Sequence, residues 1–595
     1  MSQVKTVTID KFLGVNKSAT ETLLELGEAS ESSNWAITDD NKLSKMFGYA
    51  NMFATLGNNK INGMWYGELT GVKHFLFACG GKLYEHNLTT HVNTDIGTIA
   101  DANPTTIFAN NNTVYIMNGT DYYKWTGTGN ISLVVGYTPT VATASVPTGG
   151  GTLLESLNYL TGQKTQKFSG NGAATVYQLL ETNITSVDSV YVGGVLKTVT
   201  THYTVNLVNG TVTFITAPIT GVVNNVVITW TKVDAADRPT ITNNKYYGGM
   251  YYSRLWFYGN PNHKNTRYVS GVTMAGSSDP EYWPKFADSD VGKYEITAIV
   301  TQYDKQLVFT SGDSSEASAW YSTNETYTDT STGIVITIFP VYPINAKIGN
   351  VAPGQVQIIE NNPFTLWKGI YRWVSTYVMN EKNAEWMSKR IQSDLDDLDL
   401  KTALTIDWNE RGLYMLCVGS KVWVYNYRVD AWYILDLPHT PTCFLAVDGA
   451  LCFGTTTGQI MRFDETLSTY DGVTINAVWK MGFFNFGVEW LRKFIQRIFV
   501  SILPYTKTHI DITYETDRSN TSDTYTASYG LSGFDTWDFS DFSFETNYSP
   551  QPFKFKIRAK KIDYFKMVIT NNDTDTATVL SITLPVRTGG EVKSR

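Results

Sequence analysis

One pattern limits what this chain can fold into: an apolar strand, a tight turn and an aromatic-rich return strand, repeated at a near-constant interval. Gly71–Asn87 reads GVKHFLFACGGKLYEHN and Asn112–Gly127 reads NTVYIMNGTDYYKWTG. Gly412–Asp436 reads GLYMLCVGSKVWVYNYRVDAWYILD and Gly449–Asp464 reads GALCFGTTTGQIMRFD. The turns at Gly80-Gly81 and Asn118-Gly119 lie 38 residues apart, those at Gly419 and Gly458 39 apart. A period of about 40 residues built from short strands is the mark of propeller blades, small sheets that bury their faces only against one another. Such a scaffold carries function in its loops and faces rather than in one contiguous string.

The bulk properties fit that frame. With 595 residues the chain has room for several domains, and 42% apolar residues exclude a disordered polymer. Charged residues make up only 17% and aromatics 13%, a mix that suits the pleated surface of strands. The net charge of −8 argues against a general nucleic-acid binder, which carries a basic balance; a mildly acidic surface lets DNA slide past without sticking. Cys79, Cys417, Cys443 and Cys452 form no CxxC pair and sit in apolar strand-like runs, so buried free thiols are expected rather than a disulfide framework. The opening MSQVKTVTID lacks the apolar centre of a signal peptide. No uncharged apolar run reaches the roughly 18 residues of a membrane span. The nearest, Phe483–Pro504, is broken by Glu489, Arg492, Lys493 and Arg497. The expectation is a soluble protein made in a cytoplasm.

Along the chain, residues 1–55 read as an N-terminal arm with little regular structure, with a short helix or helical turn over Thr20–Asn34. The propeller spans 56–147 and resumes over 236–474, interrupted by a different unit at 148–235. That unit has alternating strands at short spacing and an Asn209-Gly210 hairpin turn, and is expected to be a small inserted β-sandwich. The most helix-like pattern is in Asn383–Thr405, where the apolar positions only partly fit a helical face. Residues 475–595 form a second β unit of sandwich or jelly-roll type. The fold class is therefore all-β: an irregular β-propeller of six or seven blades, an inserted small β-sandwich and a C-terminal β-sandwich or jelly-roll-like domain.

Catalytic signatures are scarce. There is no HExxH, P-loop, GxSxG elbow or dinucleotide fingerprint. His86 and His91 are close in sequence but have no third ligand beside them. The Ser-x-Asp-x-Gly-x-Thr-Trp box of sialidase-type propellers has one imperfect counterpart, Ser532–Trp537, outside the propeller. No catalytic, cofactor or metal residue is assigned, and no enzyme activity is expected. Two charged patterns remain. Asp394, Asp396, Asp397 and Asp399 form an acidic run without EF-hand spacing, read as a solvated loop that would repel DNA if it faced a channel. Lys554, Lys556, Arg558 and Lys560 alternate with Phe553, Phe555, Ile557 and Ala559, which on a strand puts four cations on one face. That face is read as an interface or solvent face, paired with Asp535, Asp538, Asp541 and Glu545, in preference to a phosphate-facing strip.

The order of these segments resembles a known family. The chain runs from Ile9–Gly14 (IDKFLG) and GEASESSN at Gly27–Asn34 into the hairpins, then SRLWFYGNPNHKNTRYVSG at Ser253–Gly271, GSSDPEYWPKF at Gly276–Phe286 and YEITAIVTQYDKQLVFT at Tyr294–Thr310. It closes on FKIRAKKIDYFKMVITN at Phe555–Asn571. This pattern is similar to the tail nozzle, or tail hub, proteins of short-tailed bacteriophages. The resemblance implies a structural virion protein in the viral tail: a homohexamer ring below the portal and adaptor proteins that extends and closes the DNA-ejection channel. Tail fibres or spikes would dock on it, and DNA would pass through the lumen without sequence-specific binding. No cofactor is implied, and no membrane span. The alternative is a propeller that binds a receptor carbohydrate or cleaves it. The loosened stretch from Ser311 to Thr405 is where loops reaching into the channel are expected.

Overall fold

The computed structural model describes residues 4–53, 55–273, 276–285, 287–312, 318–328, 335–374, 383–505, 507–518, 524–530 and 549–591. Its organising unit is the four-stranded antiparallel sheet: six of these follow one another along the chain, and a seventh sheet, extended to six strands by Tyr49–Asn51, Thr469–Tyr470 and Val473–Thr474, completes the series. The first runs from Ile61–Leu69 through Val72–Cys79 and Lys82–His86 to Asn93–Thr98. The second begins at Thr106–Asn110, the third at Tyr246–Tyr251, the fourth at Ile296–Gln302, the fifth at Gln357–Ile359, the sixth at Leu404–Trp408 and the seventh at Pro441–Val447. The repeated hairpins of the sequence are successive strands of these sheets, so the fold is a seven-bladed propeller.

Hydrogen bonds between neighbouring innermost strands close the ring. Thr105 N donates to Asn62 O at 2.9 Å, and Thr106 Oγ1 donates to Lys245 O at 2.7 Å. Gly354 N donates to Thr297 O at 2.7 Å, and Gln357 Nε2 to Thr405 O at 3.1 Å. Thr442 Oγ1 joins the seventh blade to the first through Ile61 O at 2.7 Å. The blades approach so closely that a Cβ on Gly63 would lie 2.1 Å from Thr105 O, which is why a glycine stands there.

The seventh blade takes its outer strand, Tyr49–Asn51, from the start of the chain: Arg462 pairs with Ala50 and Phe463 with Tyr49. This corrects the expectation of a loose arm over residues 1–55. The segment is six strands, all of them paired. Val4–Ile9 pairs with Thr578–Glu591, and Trp35–Ile37 and Leu43–Lys45 extend that same sheet. Gly14–Val15 and Glu28–Ser33 join the opposing sheet through Ala477–Met481. Glu28–Ser33 is a strand, and the helix expected over Thr20–Asn34 is absent, because its backbone pairs with Ala477–Met481 instead. The C-terminal sandwich thus has two six-stranded sheets, each built from both ends of the chain. One apolar cluster runs from its interior (Trp35, Ile498, Ile582) into the sixth and seventh blades (Val424, Tyr433, Phe453).

The insert starts earlier than residue 148. Thr140–Ser145 pairs with Gln163–Phe168 in a six-stranded sheet, which faces a three-stranded sheet centred on Thr211–Phe214. Phe168, Tyr177 and Trp230 form a core of its own. Between its strands the chain dips back to the propeller: Asn158 accepts from Trp283 N at 3.0 Å, donates to Tyr137 O and Glu281 O at 2.8 Å, and Leu160 packs beside Phe257 and Trp283. Asn383–Thr405 is helical only in part, with an α-helical turn at Gln392–Leu395. Ala384–Trp386 completes the fifth blade, and only short turns follow at Ser388–Ile391, Gln392–Leu395 and Leu400–Thr402.

Candidate functional site

The innermost strands enter the ring around a cavity of about 650 Å³ on the propeller axis. Asn62, Tyr246, Thr405 and Thr442 reach it from the first strands of four blades and Thr105 and Gln355 from the entries to two more, with Lys60 and Lys401 at its wall. Most of these polar groups already serve the ring: Gln355 Oε1 accepts from Thr405 N at 2.7 Å, and the Thr442 hydroxyl is held by Ile61 O. The lining carries no carboxylate or imidazole. Burial pushes the Tyr247 phenol up to about 12 and the Cys443 thiol to about 11, so neither offers a base near neutral pH. The arrangement positions blades rather than reacting groups.

The acidic run lies outside this cavity. Asp394 Oδ2 accepts from Trp423 Nε1 at 3.1 Å and lies 3.9 Å from Lys421 Nζ. Asp396 Oδ1 accepts from Gln392 Nε2 at 2.6 Å, and Asp399 Oδ1 caps Lys401 N at 3.2 Å. Asp397 is exposed. Three of the four carboxylates therefore hold the turns that carry the chain from the outer edge of the fifth blade to the axis. At the axis it is Lys401 and Thr402, not the aspartates, that line the cavity. Of the stretch from Ser311 to Thr405, residues 313–317, 329–334 and 375–382 lie outside the described residues.

The basic strip has the geometry its alternation requires. Lys554, Lys556, Arg558 and Lys560 point outward from the strand Gln551–Ile562, while Phe555, Ile557 and Ala559 are buried. The strand is at the sheet's edge and pairs with Leu491–Ile502, placing Arg497 opposite Lys556, Phe499 opposite Lys554 and Phe494 opposite Lys560. Arg587 follows opposite Phe494 on the next strand. Asp535, Asp538, Asp541 and Glu545 lie outside the described residues.

Sequence reasoning missed an exposed apolar groove. On the insert, a groove of about 970 Å³ is lined by Val192, Phe214, Ile215 and Ile219, with Lys197 and His202 at its edge. Its rim is exposed aliphatic: Ile219 is 73% and Val222 83% exposed, and Val195, Leu196 and Val223 project as well. The signal was present as ITGVV at Ile219–Val223, an apolar run in a Gly- and Thr-bearing loop where polar residues belong. His86 and His91 do come together, with ring centroids 5.8 Å apart, but the buried His86 uses Nδ1 on Asn93 Oδ1 at 2.7 Å. All four thiols are free, and burial raises each. Among the described residues no helix is long and apolar enough to cross a membrane.

No family model matches the chain, and no curated protein matches it. Among solved structures, the computationally designed Ika8 protein superposes with a TM-score of 0.31 at 9% identity, over 70% of this chain and 99% of its own. BamB from Moraxella catarrhalis gives 0.30 at 9% identity, over 78% and 97%. The N-terminal domain of Nup159 gives 0.21 at 10%, over 78% and 97%. Likenesses this loose carry no argument about what the chain binds.

Proposed function

We propose that this chain is a structural subunit of a virus tail, the nozzle that extends and closes a DNA-ejection channel as a ring of six copies beneath a portal and adaptor. The observation that carries the reading is the exposed aliphatic groove on the insert. A monomeric soluble protein rarely leaves contiguous apolar surface of that kind in water, and burying it against a neighbouring copy is the ordinary remedy. The acidic balance of the chain agrees with a lumen that DNA crosses without binding. The outward cations of Gln551–Ile562 offer a second, electrostatic contact, toward a neighbour or a fibre protein. In this reading the chain is a scaffold of the virion and turns nothing over.

Electron microscopy of the purified protein tests it. The expected image is a six-fold ring with an axial opening. Ile219→Asp combined with Val222→Asp should abolish the ring and leave a folded monomer by circular dichroism. A wild-type protein that stays monomeric at micromolar concentration and hydrolyses a polysaccharide would overturn the reading in favour of a carbohydrate-cleaving propeller.

A further inference from the structure

At one end of the C-terminal sandwich, the loop between Phe565–Asn571 and Thr578–Glu591 folds over the strand Lys507–Thr516. One ligand-capable atom each from His509, Asp573 and Asp575 lies within 4.8 Å of the others. A cluster of this sort is common by chance, so the state of its atoms decides what it is. Asp575 has a side chain only 1% exposed. Its Oδ1 accepts from Asn571 Nδ2 at 2.8 Å, but its Oδ2 is buried and has no hydrogen-bond partner. His509 Nδ1 is likewise buried and unpartnered. The two face each other at 3.7 Å, beyond hydrogen-bond reach. Leaving two such groups unsatisfied inside a protein is costly, and here they point at one another.

The surroundings are otherwise fully engaged. Asn571 Nδ2 also donates to His509 O at 2.6 Å, while Asn571 Oδ1 accepts from Lys45 Nζ at 2.7 Å. Lys45 Nζ also donates to the backbone carbonyls of Asp573 and Asp575, at 2.6 and 3.2 Å. Asn571 therefore fixes the Asp575 carboxylate from behind, as outer-shell groups do for metal ligands. Asp573 is half-buried at the mouth, where the exposed Lys507 ammonium touches it at 3.1 Å. Two ligands on one small ion, with bonds of about 2.0–2.2 Å, sit roughly 3.4 Å apart in a tetrahedron. A 3.7 Å gap closes to that with a small movement.

We propose that His509, Asp573 and Asp575 form a divalent metal site that takes a first-row transition ion, Zn²⁺ foremost, and clips the loop after Asn571 to the strand Lys507–Thr516. One imidazole nitrogen with two carboxylate oxygens suits such an ion better than Ca²⁺ or Mg²⁺, which prefer all-oxygen shells. Lys507 swings into solvent when the ion enters, and water completes the shell on the open side.

The test uses the full chain, stripped with chelator and titrated with Zn²⁺ in a buffer containing Mg²⁺. One ion per chain is expected by calorimetry and by elemental analysis after gel filtration. Asp575→Asn and His509→Gln should each weaken binding at least about 100-fold. Asp573→Asn, at a half-buried position that the fold tolerates more readily, should weaken it too. Asp511→Asn is the control: Asp511 Oδ2 lies 3.5 Å from His509 Nε2, on the far side of the ring, and its loss should leave affinity within a few-fold. The rival arrangement is an imidazolium held between Asp511 and Asp575. No stoichiometric Zn²⁺ in the wild type, together with an NMR-measured His509 pKa lowered equally by Asp511→Asn and Asp575→Asn, would establish that rival and overturn the metal site.

Discussion

Asn34 shows how much of this fold can hang on one side chain. It is buried and left-handed, with φ at 58°, a conformation Asn tolerates better than most residues. Its backbone N donates to Ile434 O at 2.8 Å, and Met46 N donates to its carbonyl at 2.9 Å. Its Oδ1 accepts from Asp436 N at 3.0 Å, and its Nδ2 donates to Asn476 O at 2.8 Å. The N-terminal strands, the sixth blade and the C-terminal sandwich meet on it. Asn34→Ala should lower unfolding free energy by about 3 kcal/mol, since it strands Asp436 N, Asn476 O and the Tyr470 hydroxyl and keeps a disfavoured φ. Asn34→Gly should cost less, because only the hydrogen bonds go. Urea denaturation of both variants separates the two contributions. His86 gives a second residue-scale expectation. Burial beside the rings of Phe53 and Phe75 holds it below its ordinary 6.5; the Asn93 hydrogen bond opposes that shift and nearby His91 adds to it. The unfolded chain then binds the proton more readily, so stability falls as pH drops below about 6.5. His86→Gln, which cannot charge, should show a shallower loss between pH 7 and 5 in denaturant melts. Sequence alone reached these residues unevenly. The cations from Lys554 to Lys560 were legible because a strand's period of two puts alternate residues on one face. His509 and Asp573 were not, since only the pairing of distant strands brings them together, and no local spacing records it.

At the level of elements, the turns did most of the work of recognition. Gly80-Gly81, Asn118-Gly119, Gly419 and Gly458 all take positive φ at one or both residues, the conformation that a tight two-strand turn demands. The period held where blades are joined directly and loosened where chain was added, in the third to fifth blades. Helical patterning in Asn383–Thr405 is partial because its apolar residues answer to two tasks: Trp386 completes a sheet edge, whereas Ile391, Leu395 and Leu400, in helical turns, fill a core between the fifth and sixth blades. The insert was found, but its boundary was missed, since Thr140–Ser145 reads as any other strand. Its relation to the propeller is also closer than that of a detachable module. Asn158 and Leu160 are part of the propeller's third-blade packing. Deleting residues 140–232 should therefore lower the propeller's melting temperature. Asn158→Ala alone should reproduce much of that drop, by roughly 2–3 kcal/mol, while leaving the Trp230 fluorescence of the insert core native. A deletion without effect on the melt would show the contact to be dispensable.

For the molecule as a whole, the decisive arrangement is the pairing of its first described strand with its last, Val4 opposite Arg587 and Ile9 opposite Ile582. The sequence offered no hint of this, because an arm of short strands has no periodicity until its partners are known. One consequence can be measured directly. A circular permutant that joins residue 591 to residue 4 through a short linker, and opens new ends between Gly193 and Gly194 in an exposed hairpin turn of the insert, should fold with a melting temperature within a few degrees of the parent. The same pairing governs how the protein folds, since a contact so distant in sequence carries a large loop-closure cost. Val7 and Ile9 find their cover in a strand more than 570 residues further along the chain, Val7 opposite Leu584 and Ile9 opposite Ile582. A chain that extends to Thr474 can assemble the seventh blade while the sandwich still lacks Leu491–Ile502 and Thr578–Glu591, and its strand edges there stay unpaired. The two sheets of the sandwich are thus a check on the chain between them: they close only when strands more than 570 residues apart are both present.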